Sequence, residues 1–346
     1  MKLKPLFYGG IKVLHANIFD KYKMPLGVYI ALTERCPNRC VYCNYEVLRK
    51  NKKYEITTGD VFNIIAQLKQ AGTEKLHLSG GEPLIRDDLG KIIDYAKSKG
   101  MFVGISCSGI YIPEKVEMLK NVDVILLSLD GEEKIHDELR GRSSFKYVMD
   151  AMDVLKKNKI TFWTNTVLTK KNLSSVDFIL DLAEKNNTYA NFILLQHHGP
   201  EYENNLPTFD KIKNLIPDKK DLQSVLKYLL LRKKQGKRVG STKEYLEFLL
   251  NWDDYNMLYS DKTYNGIKCW AGRLFCHIDS QGLLYACGLN MGKISGIDIK
   301  SLGVKKAMEQ APRLKNCNSC SVSCNLENNL IFSLNLSSIF NWLKKL

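Results

Sequence analysis

Cys36, Cys40 and Cys43 stand at C-x3-C-x2-C spacing, just after the apolar run Val28-Tyr29-Ile30-Ala31-Leu32. Three thiolates on one short loop can wrap a face of a four-iron cubane and leave one iron without a protein ligand. Structural iron–sulfur and zinc sites normally close with four protein ligands, so a missing fourth leaves room for a small molecule to coordinate. A zinc knuckle, a disulfide pair and plain buried cysteines compete with that reading, and the triplet alone leaves them open. A second group, Cys269, Cys287, Cys317, Cys320 and Cys324, lies near the C-terminal end.

A strand must deliver the first loop, and the pattern around it is regular. Strand-like runs are expected over 27–33, 75–79, 102–106, 123–128, 160–167 and 191–195, with amphipathic stretches between them. Over 58–71 the apolar Val61, Ile64, Ile65 and Leu68 fall at helical spacing; 144–157 and 174–186 repeat the pattern, each opened by a serine of the kind that caps helices. Six βα units imply a parallel sheet but are too few for a closed eight-stranded barrel. The expected fold class is α/β: a partial (β/α)6 TIM-like barrel with a small C-terminal iron–sulfur domain. The expected divisions are an N-terminal arm (1–25), the barrel (26–237), an auxiliary-cluster domain (238–327) and an amphipathic tail (328–346). Within the third division, 241–252 reads as a helix and 282–286 as the second strand of a hairpin.

Composition narrows the classes. A chain of 346 residues with 45% hydrophobic content can bury a large core and is not a disordered chain. Ten cysteines behind an N-terminus without signal-peptide order read as metal sites in a reducing cytoplasm. No uninterrupted apolar stretch is long enough to span a bilayer. The net charge of +14 suits an acidic electron donor, an anionic membrane surface or nucleic acid. Lysine is dispersed along the chain, and no interleaved aromatic–basic strip supports nucleic acid.

Further motifs fall at the expected strand ends, where barrel chemistry collects. In Ser79-Gly80-Gly81-Glu82-Pro83, two glycines let the backbone turn and approach a ligand closely, and Glu82 offers a carboxylate to an ammonium group. Ser106-Cys107-Ser108-Gly109 ends the third strand, with Cys107 read as buried packing. Ser128-Leu129-Asp130-Gly131 ends the fourth, followed by His136-Asp137-x2-Arg140-Gly141. Ser128 and Arg140 can bond a carboxylate, while Asp130 and His136 can brace the loop. Asn165 ends the fifth strand; Gln196-His197-His198 ends the sixth, where adjacent histidines point to opposite faces and do not chelate one metal.

In combination these motifs resemble the radical S-adenosylmethionine superfamily, including the aromatic Tyr42 directly before the third cysteine. The resemblance covers all but about the first 25 and last 20 residues. It implies a 4Fe–4S cluster on Cys36, Cys40 and Cys43, with S-adenosylmethionine chelating the open iron. It assigns cofactor contacts to Tyr42, Gly80, Gly81, Glu82, Ser108, Ser128, Asp130, Arg140 and Asn165. Relatives often carry Thr-Asn-Gly where this chain has Cys107-Ser108-Gly109, which puts ribose contact from that loop in doubt. The pattern Ser-x-Asp-Gly-x4-His-Asp-x2-Arg-Gly resembles the branch that modifies peptides and protein side chains. The second cysteine group resembles a shortened, one-cluster auxiliary extension (a twitch rather than a full SPASM domain). It implies one auxiliary 4Fe–4S cluster on Cys269, Cys287, Cys317 and Cys320, with Cys324 as a substitute ligand and structural zinc as the rival.

The implied activity is reductive cleavage of S-adenosylmethionine to a 5′-deoxyadenosyl radical, which takes hydrogen from an unactivated carbon of a peptide or protein. A donor such as ferredoxin or flavodoxin would supply the electron. The alternatives are modification of a membrane lipid or isoprenoid, and a non-catalytic two-cluster electron-transfer protein. In the tail, Phe332, Leu336, Ile339/Phe340 and Leu343 are expected to share one helix face, and the N-terminal arm has Leu3, Leu6, Phe7, Ile11, Val13 and Leu14 among lysines. Both suit a peripheral membrane interface on the cytoplasmic side, or packing against the barrel's open edge.

Overall fold

The computed structural model describes residues 3–19, 23–43, 54–197, 207–264 and 266–345, with the side chains of 3–7 undescribed. His198 and Leu346 therefore lie outside the described residues. Six parallel strands run in sequence order: β1 (Gly27–Ala31), β2 (Lys75–Ser79), β3 (Phe102–Cys107), β4 (Val124–Ser128), β5 (Phe162–Leu168) and β6 (Ala190–Leu194). One side of each is covered by helices and buries aliphatic residues such as Val28, Ile30, Leu76, Leu78, Val103 and Ile105. The alternate residues, including Tyr29, His77, Ser106, Leu126, Asn165 and Asn191, face a cavity. This is the expected partial barrel.

The short strand β7 is Tyr259–Ser260, and β8 (Phe275–Ile278) lies parallel to β1, extending the sheet past the barrel edge. The hairpin partner β9 (Leu283–Tyr285) and then β10 (Ile297–Asp298) follow antiparallel, making nine strands. The hairpin expected around Gly282 is present, with Gly282 at φ +85° and the Asp279 carboxylate accepting from the Gln281 and Leu283 amides. Outside this sheet, β11 (Ser319–Cys320) pairs with β7.

The described helices of eight or more residues are α1 (Leu3–Ile18), α2 (Thr58–Gln70), α3 (Leu89–Ser98), α4 (Glu133–Arg140), α5 (Ser144–Lys157), α6 (Val176–Lys185), α7 (Lys219–Lys234), α8 (Lys243–Leu250), α9 (Ile299–Gln310), α10 (Ser323–Phe332) and α11 (Leu336–Lys344). In α2, Thr57 and Asp60 form a capping box and Val61, Ile64, Ile65 and Leu68 are buried, as the periodicity predicts. The serine caps expected on the next two barrel helices are corrected. Ser144 opens α5 but gives its hydroxyl to Asp137 at 3.2 Å; this α4 residue caps α5, accepting from the Ser143 and Phe145 amides at 2.6 and 2.8 Å. Ser174 lies in a 3-10 turn before α6, and the cap position, Ser175, gives its hydroxyl to Glu132.

The tail is also corrected. Leu334 adopts φ +59° and breaks it into α10 and α11. Phe332 is 9% exposed, whereas Leu336 and Phe340 are 67% and 66% exposed, so Phe332 does not share the face that Leu336, Phe340 and Leu343 form. Instead α11 turns Ser338, Asn341 and Trp342 inward. Trp342 plugs the N-terminal end of the barrel against Phe102, Val124 and Trp163, and the Lys345 ammonium lies 4.6 Å from the Trp163 ring.

Candidate active site

The cysteine loop leaves β1 and is clamped from two sides. From β2, the Gly81 amide donates to Thr33 O at 2.7 Å and the Glu82 amide to Arg35 O at 2.8 Å. Gly80 sits at φ +132°, and a Cβ on Gly81 would lie 2.2 Å from Arg35 O. The close approach expected of this glycine pair is therefore made to the backbone leading into Cys36. From α4, Leu139 O accepts from the Val41 amide at 2.9 Å, and the Tyr42 ring packs with Leu139, Leu195, Ile212 and Leu215. Arg86, which the sequence reading passed over, pins the same region: its guanidinium donates to Leu32 O, Ile56 O and Asp88. An arginine followed two residues later by an aspartate is the only signal that could have pointed to it.

Burial pushes the Cys36 thiol up to about 12. It pushes Cys40 up to about 11 while the Arg140 guanidinium pulls it back. All three thiols lie within electrostatic range of one another. Among the described residues no three His, Cys, Asp or Glu side chains converge as they would on one metal ion. Cubane ligands stand on separate irons, so three thiols spread along a pinned loop fit a cluster better than a zinc knuckle.

Glu82 is buried, and its carboxylate accepts from the Leu84 amide, the Ser108 amide and the Ser108 hydroxyl at 3.1, 2.8 and 2.6 Å. About one acceptor position in four is left over. Burial raises its pKa. Asp130 is fully buried: its carboxylate accepts from the Tyr42 hydroxyl, from Arg140 Nε at 2.5 Å and from the Val167 amide at 2.9 Å. Burial works against the Arg140 charge, but Asp130, Tyr42 and Cys40 raise its pKa. His136 accepts from the Asp130 amide through Nδ1 at 3.1 Å, the bracing role expected of it, and burial lowers it to about 4. Arg140 was read as a carboxylate ligand; the partner it has is Asp130, so it braces Tyr42 and the loop. Asn172, not singled out by sequence, closes this network by donating to Asp130 O and Val167 O.

Ser128 ends β4 and pairs in register with Asn165, which lies in the middle of β5 rather than at its expected end and faces a cavity of about 410 Å³ inside the barrel. Its wall carries Tyr29, His77 and His277; the Tyr29 and His277 rings stack at 4.7 Å, and His77 Nε2 is 2.7 Å from Ser106 Oγ. Lys75, Lys345 and Glu327 line it toward the plugged end, and burial lowers the Lys345 ammonium to about 8. Cys107 is buried beside the site, and Cys276 is packed in the core. His197 is buried against Phe209.

Cys269, Cys287, Cys317 and Cys320 come together, each of the last three within electrostatic range of Cys269. Burial pushes Cys317 up to about 11 and Cys287 further. Asn325 donates to Cys287 Sγ at 3.0 Å. Cys324 lies next to this group but lines the barrel cavity.

Residues 30–183 match the profile of the radical SAM superfamily. That stretch places a radical SAM domain in the chain, and the chain is an enzyme. Its cofactors are a 4Fe–4S cluster and S-adenosylmethionine. The enzyme is 28% identical over 273 residues to the AdoMet-dependent heme synthase of Methanosarcina barkeri, covering 74% of this chain and 75% of that one. It is 29% identical over 163 residues to the PqqA peptide cyclase of Streptomyces rochei, covering 46% and 45%. Its fold is similar to that of Streptococcus suis SuiB bound to S-adenosylmethionine, with a TM-score of 0.66, 16% identity and coverage of 86% and 69%. Among the described residues no helix is long and apolar enough to cross a membrane.

Proposed function

We propose that this enzyme removes hydrogen from an unactivated carbon of a peptide or protein substrate held in the barrel cavity. The carrying observation is the cavity lining, in which a largely apolar wall also carries Lys75, Lys345, Glu327, His77 and Asn191. A peptide segment, with amide and polar side-chain partners, fits the same lining. The relation to a peptide cyclase and the Ser128–Gly141 pattern support this reading.

Cys36, Cys40 and Cys43 would hold the cluster, which with S-adenosylmethionine bound would supply the hydrogen-abstracting radical chemistry. The chain's own work is positional. Gly80 and Gly81 seat the loop, Asp130 fixes Tyr42 and Arg140 beside Cys40, and Glu82 with Ser108 offers a remaining acceptor to the ammonium end of the cofactor. Ser128, at the end of β4, and Asn165, beside it on β5, stand where the carboxylate and adenosyl groups would lie. Cys269, Cys287, Cys317 and Cys320 hold one auxiliary 4Fe–4S cluster, and Cys324 is left to the cavity.

The test is anaerobic reconstitution, reduction with dithionite, and measurement of 5′-deoxyadenosine with deuterated peptide. Deuterium in the 5′-deoxyadenosine is the expected result. Cofactor cleavage with deuterium taken only from a lipid or isoprenoid would overturn the peptide reading, and no cleavage at all would overturn the chemistry.

A further inference from the structure

The terminal helices are apolar on the side that faces away from the protein. On α1, Val13 and Ala16 are buried, while Ile11, Leu14 and Ile18 are 51%, 51% and 73% exposed. At 3.6 residues per turn these three lie opposite the buried pair. Helix α11 is inverted: the Asn341 side chain points inward to Gly240 O and Lys233 Nζ, and Leu336, Phe340 and Leu343, at i, i+4 and i+7, are exposed. A single exposed leucine is ordinary, but two helices with solvent-side apolar stripes need a cover.

Both helices lie at the same end of the barrel. The Lys12 ammonium bonds Gly72 O and Glu74, just before β2, and Trp342 packs on Phe102 and Val124, which open β3 and β4. This is the N-terminal end of the strands, opposite the cysteine loop. The barrel helices also finish here, and Lys99, Lys156, Lys157, Lys159, Lys185 and Lys234 are exposed at or just past their last turns. The opposite ends of α2, α4, α6 and α7 carry Asp60, Glu133, Asp177 and Asp221 in their first turns. Such a distribution suits the helix macrodipoles, and it also surrounds the apolar stripes with a positive rim.

We propose that the strand N-terminal end of this enzyme docks on an anionic bilayer surface, with α1 and α11 lying in the headgroup layer. Apolar stripes framed by lysine match that layer in both polarity and charge. A second copy of the chain would bring one basic rim against another. The docked orientation points the cysteine loop and cavity mouth toward water, so the membrane serves as an anchor and substrate arrives from the aqueous side.

The test is flotation of the full chain with phosphatidylglycerol/phosphatidylcholine vesicles, with phosphatidylcholine alone as the control. Wild type is expected to float with the anionic vesicles and not with the neutral ones, and to be released by salt. Ile18→Asp combined with Phe340→Asp is expected to lower binding at least about tenfold with an unchanged melting temperature, because both positions are exposed. Either substitution alone separates the two helices. No binding to either vesicle, equal binding to both, or a variant that binds like wild type overturns the proposal. So does a dimer, seen by light scattering, that the double variant dissociates. None of these readouts requires cofactor cleavage, so the docking can fail while the chemistry stands, and the reverse.

Discussion

At the C-terminal end of the strands, polar groups are committed to one another: Asp130 binds Tyr42, Arg140 and the Val167 amide, and Glu82 binds Ser108 and Leu84. At the N-terminal end the cavity is stopped by one aromatic, Trp342, and the covering helix turns Leu336 and Phe340 to solvent. The first end is braced by Asp130, Arg140 and Glu82, whose partners cannot be lost without leaving a buried charge or an empty acceptor. The second end is held by aromatic packing together with the hydrogen bonds of Asn341 and Lys345 to Gly240 O, and the packing part tolerates change in proportion to the area removed. Geometry is concentrated where a cluster loop must be held, and adaptable surface is left where a barrel only needs closing.

Substitutions at the two ends should therefore separate in size and in kind. Cys36→Ala should cause the largest loss, with about four irons fewer per chain in anaerobic iron counts and no 5′-deoxyadenosine above background. Asp130→Asn leaves Arg140 buried without its counter-charge and should destabilise by about 3–5 kcal/mol, read from urea unfolding, with loss of cluster iron. Trp342→Ala opens the other end and should cost about 1–3 kcal/mol while iron content holds. If Trp342→Ala loses iron as readily as Asp130→Asn, the two ends are coupled and the contrast fails.

Acid should expose the bracing histidines. His77 and His136 are lowered by burial to about 3 and about 4 from an ordinary 6.5. Below pH 6.5 the unfolded chain binds more protons than the folded one, so stability falls as pH drops from 6.5 toward 4. The loss should be on the order of 3 kcal/mol for each histidine by pH 4, and His77→Gln should roughly halve the total in a series of melting curves. The smallest effect is expected from Phe340→Ser: within about 0.5 kcal/mol, because the ring is already 66% exposed. A larger cost would mean that this face is covered in the folded monomer.

Much of the barrel was legible because burial on the sheet's outer side forces a local pattern. Val61, Ile64, Ile65 and Leu68 share a face in any helix, and five-residue apolar runs flanked by turns can hardly be anything but strands. Helix starts were less legible, since Ser143 and Ser144 look like caps while the actual cap, Asp137, comes from another helix. Tail orientation was not legible at all: periodicity marks the stripe of Leu336, Phe340 and Leu343 but carries no sign for in or out.

The sequence by itself determined which thiols can act together at the loop, because C-x3-C-x2-C spacing puts all three within reach of a common cluster whatever surrounds them. It also determined the order of the six strands, since short crossovers place neighbours in the chain beside each other in the sheet. Only the tertiary structure decided that Gly81 serves the cysteine loop, that Arg140 answers Asp130, and that Trp342 closes the barrel. Each of those facts joins residues far apart along the chain, where the choice of partner depends on which surfaces meet once the core has packed.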